Sequence, residues 1–426
     1  MHTLKKLYCR TFQMGLRAVL PVLPYRSPEL LRSVEELPAL FQKQQISRVL
    51  LITDASIRGF GITAPLENAL KQAGIRCMVY DRTVANPTSA NVEEARMLYL
   101  GTGCQAIIGF GGGSSIDCAK AVGARIAKPR QSLAHMEGIL KVHHKLPPLV
   151  AIPTTAGTGS EATLAAVITD SETRHKYPIN DFPLIPHYAV LDPEVTRTLP
   201  RHVTATTGMD ALTHAVEAYI GRSTTKETRE DALEAVRLIF ANLDRACADG
   251  NDTAARRNML HAAYLAGSAF SKSYIGYVHA VAHSLGGRYN VPHGLANAVL
   301  LPYVLEAYGP KINGKLHRLA VAAGVASASD TPQAGSRAFL RAVRDMQRRL
   351  DIPKTIPEIR EEDIPALART AEHEANPLYP VPVLMDAKKL EAFYYSVMED
   401  AYEAGRNSEN RVGAASVLRE RKNTAG

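Results

Sequence analysis

The sequence of 426 residues has no long apolar run. No stretch of it approaches the roughly 20 apolar residues that a membrane-spanning helix requires, and we therefore expect no membrane span. Hydrophobic residues make up 46% and charged residues 22% of the chain, which is typical of globular proteins. The length is sufficient for two or more domains, each with a substantial core.

Cysteine is scarce. The five cysteines are odd in number, widely spaced and without a CxxC pair, which argues against a disulfide framework and against a zinc ribbon. We expect reduced thiols in a cytoplasmic protein. The residues concerned are Cys9, Cys77, Cys104, Cys118 and Cys247.

A concentrated basic segment is also missing. The formal net charge is +8 and the pI about 9.1, but lysine and arginine are scattered and form no long run and no aromatic–basic motif. We expect no nucleic-acid partner. A small anionic ligand requires no such basic surface.

Acidic residues are absent before Glu29. The apolar part of this basic segment is interrupted by Arg17 and ends at Pro21 and Pro24, and no small-residue cleavage pattern follows, so we expect no signal peptide. The segment predicts a short amphipathic surface helix. A weak contact with a membrane surface is the alternative interpretation.

Short apolar runs alternate with helical segments in the first half of the chain. Such alternation predicts a doubly wound, mostly parallel sheet. Strands are predicted at Arg48–Thr53, Cys77–Tyr80, Ala106–Phe110, Leu149–Ile152 and Ala189–Leu191, with helices at Pro65–Ala73 and Asn91–Leu100.

The second half shows helical periodicity and no convincing strand after about Pro200. We expect an α/β, Rossmann-like dinucleotide-binding domain at residues 1–198, followed by an all-α domain at 199–426. Helices are predicted at Ala211–Tyr219, Arg229–Leu243, Ala254–Ser271, His279–Leu285, Ala296–Tyr308 and Gln333–Leu350.

A glycine-rich turn, GFGGGSSIDCAK, follows the third predicted strand at residues 109–120. Glycines let a backbone approach a pyrophosphate closely, and the next helix offers free N–H groups. Ser114 is the expected N-cap, with Asp117 three residues later as in a capping box. The third glycine of the usual fingerprint is missing, so a structural turn remains the alternative.

Two further features fit a dinucleotide. Asp54 ends the RVLLIT strand, where a carboxylate can accept a hydrogen bond from a ribose hydroxyl and would repel a 2′-phosphate, which favours NAD over NADP. The alternative is an aspartate that only starts the next turn. A second turn, PTTAGTGSE at 153–161, offers hydroxyl groups that can line the cofactor.

Acid and histidine residues recur at helical spacing in two places. Asp210 and His214 are four residues apart, as are His279 and His283, and His293 follows after a Gly-Gly pair that we expect to break the helix. One carboxylate and three imidazoles can hold a divalent metal with an open position. Such a metal would act as a Lewis acid on an alcohol oxygen. The alternative is that these groups are solvated or hydrogen-bonded.

Taken together, these segments resemble the iron-containing (group III) alcohol dehydrogenases over about residues 48–382. The motifs that carry the resemblance are ANPT at 85–88, GGGSSIDCAK at 111–120, AIPTTAGTGSE at 151–161, TGMDALTHAVEAY at 207–219, and VHAVAH and VPHGLANA within 278–298.

The resemblance implies a dehydroquinate synthase-like fold with the site in a cleft between the domains. It implies NAD and a divalent metal as cofactors, with iron(II) favoured and zinc possible. His283 would act in catalysis near the metal. The implied metal ligands are Asp210, His214, His279 and His293; the implied NAD contacts are Asp54, Asn86, Gly112, Gly113, Ser114, Asp117, Thr154, Thr155, Thr158 and Lys176.

Metal-dependent oxidation of a primary alcohol by NAD is the leading hypothesis. The alternatives are a dehydroquinate synthase-like lyase, a polyol dehydrogenase of the glycerol type, and a nucleotide-binding protein without activity. The intact ligand set argues against relatives that bind the metal differently or lack it. We expect a small alcohol or aldehyde as partner and a homodimer or higher homo-oligomer. Phe270, Tyr274 and Tyr277 are expected to line the pocket; the alternative is that these aromatics belong to the core.

Overall fold

The computed structural model describes residues 1–399, except for the side chain of Pro21. Residues 400–426 of the predicted helical domain therefore lie outside the described part. The elements of the first half are α1 (Thr3–Val19), β1 (Glu29–Leu31), α2 (Leu37–Lys43), β2 (Arg48–Ile52), α3 (Ala55–Gly59), α4 (Ala64–Gln72), β3 (Arg76–Tyr80), α5 (Ser89–Thr102), β4 (Ala106–Gly111), α6 (Gly113–Ala127), β5 (Gly138–Ile139), β6 (Leu149–Pro153), β7 (Ala165–Thr169), β8 (Lys176–Asn180) and β9 (Tyr188–Val190).

A six-stranded, fully parallel sheet runs in the order β1-β9-β6-β4-β2-β3. Strand residues alternate between its faces: Leu50 and Ile52 pack with α5 and α6, while Val49 and Leu51 pack with α2 and α4. Both faces are thus covered by helices, which explains why β4 and β6 are buried along their whole length. The predicted doubly wound α/β arrangement is confirmed.

The carboxyl ends of β2 and β4 form the switch point of this sheet. The chain leaves β2 toward β3 on one side and leaves β4 toward β6 on the other, so that a crevice opens between the two strand ends. Dinucleotides bind at such crevices in doubly wound proteins. Asp54 and the glycine turn both stand at this position.

A second, three-stranded sheet was not predicted from the sequence. It runs β5-β8-β7, and β7 and β8 pair antiparallel from Ala165↔Asn180 to Thr169↔Lys176. The β8 segment KYPIN contains Pro178, which is unusual in a strand. This sheet matters for the site because it presents Lys176.

The second half consists of helices throughout its described residues 201–399. They are α7 (Arg201–Ile220), α8 (Lys226–Ala248), α9 (Thr253–Ser273), α10 (Tyr277–Tyr289), α11 (His293–Tyr308), α12 (Asn313–Ala322), α13 (Pro332–Arg349), α14 (Ile364–Ala375) and α15 (Ala387–Val397). Helix α7 is central: every residue from Gly208 to Ile220 is buried. No helix in the described part of the chain is both long and apolar enough to cross a membrane.

The sheet and the helical part meet closely at the 153–161 turn. Gly159 has a φ of +62°, and a Cβ built on it would lie 2.6 Å from Cα of Gly267 in α9. A side chain has no room at this contact, which brings the turn next to the helices. The division that we predict at residue 198 falls between Val190, the last strand residue, and Arg201, the first residue of α7.

Helix α1 forms as predicted but packs on the helical part rather than on the sheet. Cys9 joins the large core of the second half, and Arg10 donates to the carbonyls of Val381 and Pro382. Its sequence position in the first half therefore does not match its place in the structure.

Candidate metal and cofactor site

Three helices bring the four predicted metal ligands together. Asp210 and His214 come from α7, His279 from α10, and His293 is the first residue of α11. The Oδ1 atom of Asp210 lies 4.0 Å from Nδ1 of His214, 3.8 Å from Nε2 of His279 and 3.5 Å from Nε2 of His293. One possible ligand atom from each residue lies within 4.8 Å of all the others.

One detail of the prediction is wrong here. The Gly286–Gly287 pair does not break the helix, because α10 continues to Tyr289 and ends at Asn290, which has a φ of +57°. Asparagine tolerates this left-handed conformation at the end of a helix. The turn that delivers His293 is therefore made by residues 290–292.

Buried ring nitrogens without hydrogen-bond partners indicate that these four residues fit a metal ion. Nδ1 of His214 and Nε2 of His279 are buried and have no hydrogen-bond partner. A buried polar atom without a partner is costly and requires an explanation. Donors bound to one tetrahedral ion at about 2.1 Å are roughly 3.4 Å apart, and the three histidine nitrogens lie 3.5–4.0 Å from Oδ1 of Asp210. A divalent metal at their common centre would satisfy these nitrogens.

The protonation state also suits metal binding. Burial lowers the pKa of His214, lowers that of His293 to about 4, and holds that of His279 well below its usual value. Imidazole binds metals in its neutral form. All three rings are therefore ready to bind a metal at neutral pH.

Glu217 supports the cluster and was missed by sequence reasoning. Its Oε2 lies 2.6 Å from Nδ1 of His279, and its carboxylate also accepts from the backbone N–H groups of Gly276 and Val278. Burial raises its pKa to about 7, against the lowering effect of these hydrogen bonds. A carboxylate on the far nitrogen orients a metal-binding histidine. The i, i+4, i+7 spacing of Asp210, His214 and Glu217 could have indicated it.

His283 lies beside the cluster but is not one of its four members. Its ring stacks on that of His293, with centroids 5.2 Å apart. Nδ1 of His283 lies 2.7 Å from Oε1 of Glu374 in α14, and the hydroxyl of Tyr379 donates to the same oxygen at 2.7 Å. Burial alone would raise the pKa of Glu374. The charge of His283 and the hydrogen bonds from His283 and Tyr379 lower it by more, so the net change is a decrease.

The aromatic residues predicted for the pocket differ in position. Phe270 stacks on the ring of His214, with centroids 4.3 Å apart and planes 15° apart, and is half-buried. Tyr274 is half-buried at the end of α9. Tyr277 is fully buried, and its hydroxyl bonds Asn376 and Met385, so its predicted pocket role is wrong.

The glycine turn connects β4 to α6 as predicted, but the helix begins earlier. Gly112 is the N-cap, without a side-chain hydrogen bond, and α6 starts at Gly113, so Ser114 is not the cap. Ser114 lies in the first turn of α6 and is half-buried. Because no side chain caps this end, its free N–H groups remain available to an anion.

Hydroxyl groups of the 153–161 turn face these glycines. A Cβ built on Gly112 would lie 3.7 Å from Oγ1 of Thr155, and one built on Gly113 would lie 3.1 Å from Oγ1 of Thr158. The backbone N–H of Thr154 donates to the carbonyl of Gly111 at 3.0 Å. The two predicted turns therefore lie side by side.

The two predicted aspartates have different surroundings. Asp54 caps α3 through Oδ1, while its Oδ2 would be 3.6 Å from a Cβ on Gly111 and thus faces the turn. Asp117 does not complete a capping box. Its oxygens accept from the hydroxyl of Ser160 at 2.6 Å and from the N–H of Val167 at 3.0 Å, and it therefore connects α6 to the neighbouring turn.

Asn86 and Lys176 contact each other near the carboxyl end of α10. Nζ of Lys176 donates to Oδ1 of Asn86 at 2.7 Å, and Nδ2 of Asn86 donates to Asn290 at the end of α10 at 3.2 Å. Burial lowers the pKa of Lys176. This chain of contacts joins the second sheet to the helix that carries His279 and His283.

Two family profiles match most of the chain. A profile described as iron-containing alcohol dehydrogenase matches residues 31–193. A second, the C-terminal part of the Fe-containing alcohol dehydrogenase family, matches residues 204–398. All predicted metal and cofactor residues lie within these two regions.

Individual proteins agree with the profiles. Alcohol dehydrogenase 4 of Saccharomyces cerevisiae is 37% identical over 347 residues, which cover 80% of this chain and 89% of that protein. The NAD-dependent methanol dehydrogenase of Bacillus methanolicus is 35% identical over 345 residues, again 80% and 89%. The crystal structure of a 1,3-propanediol oxidoreductase superposes with a TM-score of 0.84 at 33% identity, covering 88% of this chain and 99% of that one.

Proposed function

The chain belongs to the iron-containing alcohol dehydrogenase family, a family of NAD- and metal-dependent oxidoreductases, and on this premise we propose that it interconverts a small primary alcohol and its aldehyde. The observation that carries the proposal is the cluster of Asp210, His214, His279 and His293, in which buried imidazole nitrogens lack any partner. We propose these four residues as the metal ligands.

The chain's own residues can orient the reacting groups. A bound divalent metal supplies Lewis acidity at the alcohol oxygen, and bound NAD supplies the hydride acceptor. Glu217 keeps the His279 ring in place, while Phe270 stacks on His214 and excludes water from that side. Such fixed positions lower the entropic cost of bringing the reactants together.

We propose that His283 moves the alcohol proton. In the tautomer in which Nδ1 donates to Glu374, Nε2 of His283 is free to accept a proton. Glu374, which also accepts from Tyr379, would act as a positioning residue for the ring. The partial exposure of His283 gives the proton a route to solvent.

We propose that NAD lies across the switch point of the sheet. Gly112, Gly113 and Ser114 would cradle the pyrophosphate at the start of α6, and the free Oδ2 of Asp54 would accept from the adenosine ribose. Thr154, Thr155 and Thr158 would line the facing wall. Asn86 and Lys176 would contact the nicotinamide half, and Asp117 would act by holding the two turns together.

The substrate class is also proposed. The similar proteins are named for an unspecified alcohol, for methanol and for 1,3-propanediol, and the last two are small primary alcohols. Phe270 presents an apolar ring beside the ligands, which favours apolar primary alcohols over polyols. Higher activity on glycerol than on butanol would contradict this assignment.

The test is net NADH formation with a series of primary alcohols. Purified protein is stripped with a chelator and reloaded with iron(II) or zinc, beside His279→Ala and the control His202→Ala, an exposed histidine at the start of α7. We expect metal to restore activity in the wild type and in the control but not in His279→Ala. Tight NAD binding without net NADH under any metal would instead support a lyase that recycles its NAD.

Two further proposals concern the protein's setting. We propose a homodimer or higher homo-oligomer, which sedimentation velocity tests directly. We also propose a cytoplasmic location, supported by five cysteines that are all free thiols in the structure. Recovery of the protein in an oxidising compartment of its native cell would contradict the second proposal.

A further inference from the structure

Helix α1 binds the rest of the protein through its polar side. Arg10 donates to the carbonyls of Val381 and Pro382 at 2.7 and 3.0 Å. Nε2 of Gln13 donates to the carbonyls of Pro377 and Tyr379 at 3.1 and 2.8 Å. These contacts, together with the buried Cys9, attach the helix firmly to the helical part.

The opposite side of α1 is apolar and faces solvent. Each of its large hydrophobic side chains keeps between 41% and 70% of its surface exposed. At 3.6 residues per turn they share one broad face, in which only the small residues Thr11, Gly15 and Ala18 intervene. We call this set the apolar face of α1; its members are Leu4, Leu7, Tyr8, Phe12, Met14 and Val19.

This arrangement is the reverse of an ordinary surface helix, which buries its apolar side and exposes its polar side. Contiguous exposed apolar surface of this kind marks an interaction site. Residues 1–30 also lie outside both matched family regions. The apolar face is therefore a feature of this chain that the proposed catalytic function does not use.

Positive charges border the apolar face. Lys6 and Arg17 flank it on one side and Lys5 on the other, and no acidic residue occurs among residues 1–28. Two acidic groups of the helical part approach α1, but both are paired: Glu372 with Lys5 at 2.6 Å, and Asp386 with the amino group of Met1.

The basic border continues onto the neighbouring helices. Lys315 is the centre of a group of cations: burial lowers its pKa to about 8, and the positive charges of Arg318, Arg222, Arg229 and Arg17 lower it as well. Such a concentration of cations attracts an anionic partner. Pairing of this face with the same face of a second copy would bring the cations of both copies together.

We propose that the apolar face of α1 and its basic border dock on an anionic lipid surface, with the helix lying in the plane of the interface. Helices with a wide apolar face and flanking lysine and arginine bind membranes in this way. The described part of the chain has no helix that could span a bilayer, so contact would be peripheral and reversible.

The test uses the full-length protein and two kinds of vesicle, one of phosphatidylcholine and one of equimolar phosphatidylcholine and phosphatidylglycerol. We expect cosedimentation with the second kind and little with the first. Each basic side chain near an anionic surface changes partitioning about fivefold. Lys6→Gln/Arg17→Gln should therefore bind the anionic vesicles roughly 25-fold more weakly.

Leu7→Glu/Met14→Glu tests the apolar face, because both side chains are more than half exposed and their replacement should leave the fold intact. We expect this variant to lose vesicle binding and to keep alcohol oxidation. Met97→Glu/Leu100→Glu on α5, with similarly exposed side chains, is the matched control and should bind as the wild type does.

Three results would overturn the proposal. The first is no binding to anionic vesicles, and the second is equal binding to both kinds. The third is a larger assembly in sedimentation velocity that Leu7→Glu/Met14→Glu splits, because the face would then be occupied by a second copy. Since the readout is vesicle binding, none of these results depends on the proposed catalytic function.

Discussion

The cofactor turns and the metal cluster differ in whether their polar atoms already have hydrogen-bond partners within the protein. At the ends of β2, β4 and β6, the candidate contacts are backbone groups and small side chains that are mostly hydrogen-bonded already, as with Oδ1 of Asp54 and the N–H of Thr154. In the cluster, His214 and His279 carry buried nitrogens without partners. Apart from the uncapped N–H groups of α6, the protein itself satisfies the polar atoms of the first region, whereas it leaves buried nitrogens of the second unsatisfied.

This difference predicts which kind of substitution disrupts ligand binding in each region. A site made of backbone tolerates many side-chain changes, and it fails when added atoms fill the space reserved for the ligand. A site made of buried side chains fails as soon as one of them is removed. Four substitutions test this contrast: the first three, on metal and NAD binding, run from the largest expected effect to the smallest, and the fourth is measured on folding stability.

Asp210→Ala should have the largest effect, since it removes the carboxylate from the ligand set. We expect loss of bound metal and a fall in kcat/KM of about a thousandfold or more, with NAD affinity nearly unchanged. Elemental analysis measures the bound metal, and a separate titration measures the affinity for NAD. Asp244→Ala, at a partly exposed aspartate of α8, is the control, and full metal retention in Asp210→Ala would contradict the ligand assignment.

Glu217→Gln tests a residue that would affect the metal only through the ligand His279. It keeps the shape of the side chain but replaces the carboxylate that orients His279. We expect metal affinity to fall about 10- to 100-fold, as for other such partners. Glu234→Gln, at a partly exposed glutamate of α8, should leave the metal affinity unchanged in the same titration. Equal affinities in both variants would show that Glu217 serves the fold alone.

Gly112→Ala probes the backbone-built region. A Cβ at this position meets no protein atom closer than 3.7 Å, so the fold should keep its stability, but the methyl group would enter the space proposed for the pyrophosphate. We expect roughly tenfold weaker NAD binding, equivalent to about 1.4 kcal/mol, with metal content unchanged. Gly314→Ala, with no atom within 4 Å of the added Cβ, is the control. Unchanged NAD affinity in Gly112→Ala would place the pyrophosphate elsewhere.

Glu161 breaks the contrast, because it is a buried and partly unpaired side chain within the cofactor region. Burial raises its pKa to about 7, against the opposing effects of its own backbone N–H and of Lys120. The unfolded chain ionises near the ordinary value, so the free energy of unfolding should fall as pH rises from about 4.5 to about 7.

Glu161→Gln should abolish this decrease. Relative to the wild type, the variant should gain roughly 2–3 kcal/mol between pH 5 and pH 7.5, measured by denaturant unfolding at both values. An equal difference at the two pH values would show that Glu161 is already ionised at low pH.

Sequence patterns predicted the parts of the molecule that depend on neighbours along the chain. Every predicted strand and helix overlaps an observed one, because the apolar periodicity that defines them is local. The spacing of Asp210 and His214 needed only a helix, and the structure shows that both face one centre.

Features that depend on distant contacts could not be predicted in this way. Glu374 lies 91 positions from His283, and nothing in the sequence of either segment indicates that the two side chains pair. Asp117 has the spacing of a capping residue, but the hydroxyl of Ser160, brought close by the fold, competes for it. The same is true of β7 and β8, whose antiparallel pairing covers a short, irregular sequence.

The contact between Gly159 and Gly267 constrains how this sequence can change over generations. A Cβ on Gly159 would meet Cα of Gly267 at 2.6 Å, and a Cβ on Gly267 would meet the carbonyl oxygen of Gly159 at the same distance. Neither position can accept a side chain while the other backbone stays where it is. Gly267 of α9 is not among the proposed metal or nucleotide contacts, but substitutions at this position are limited by the position of the nucleotide-facing turn.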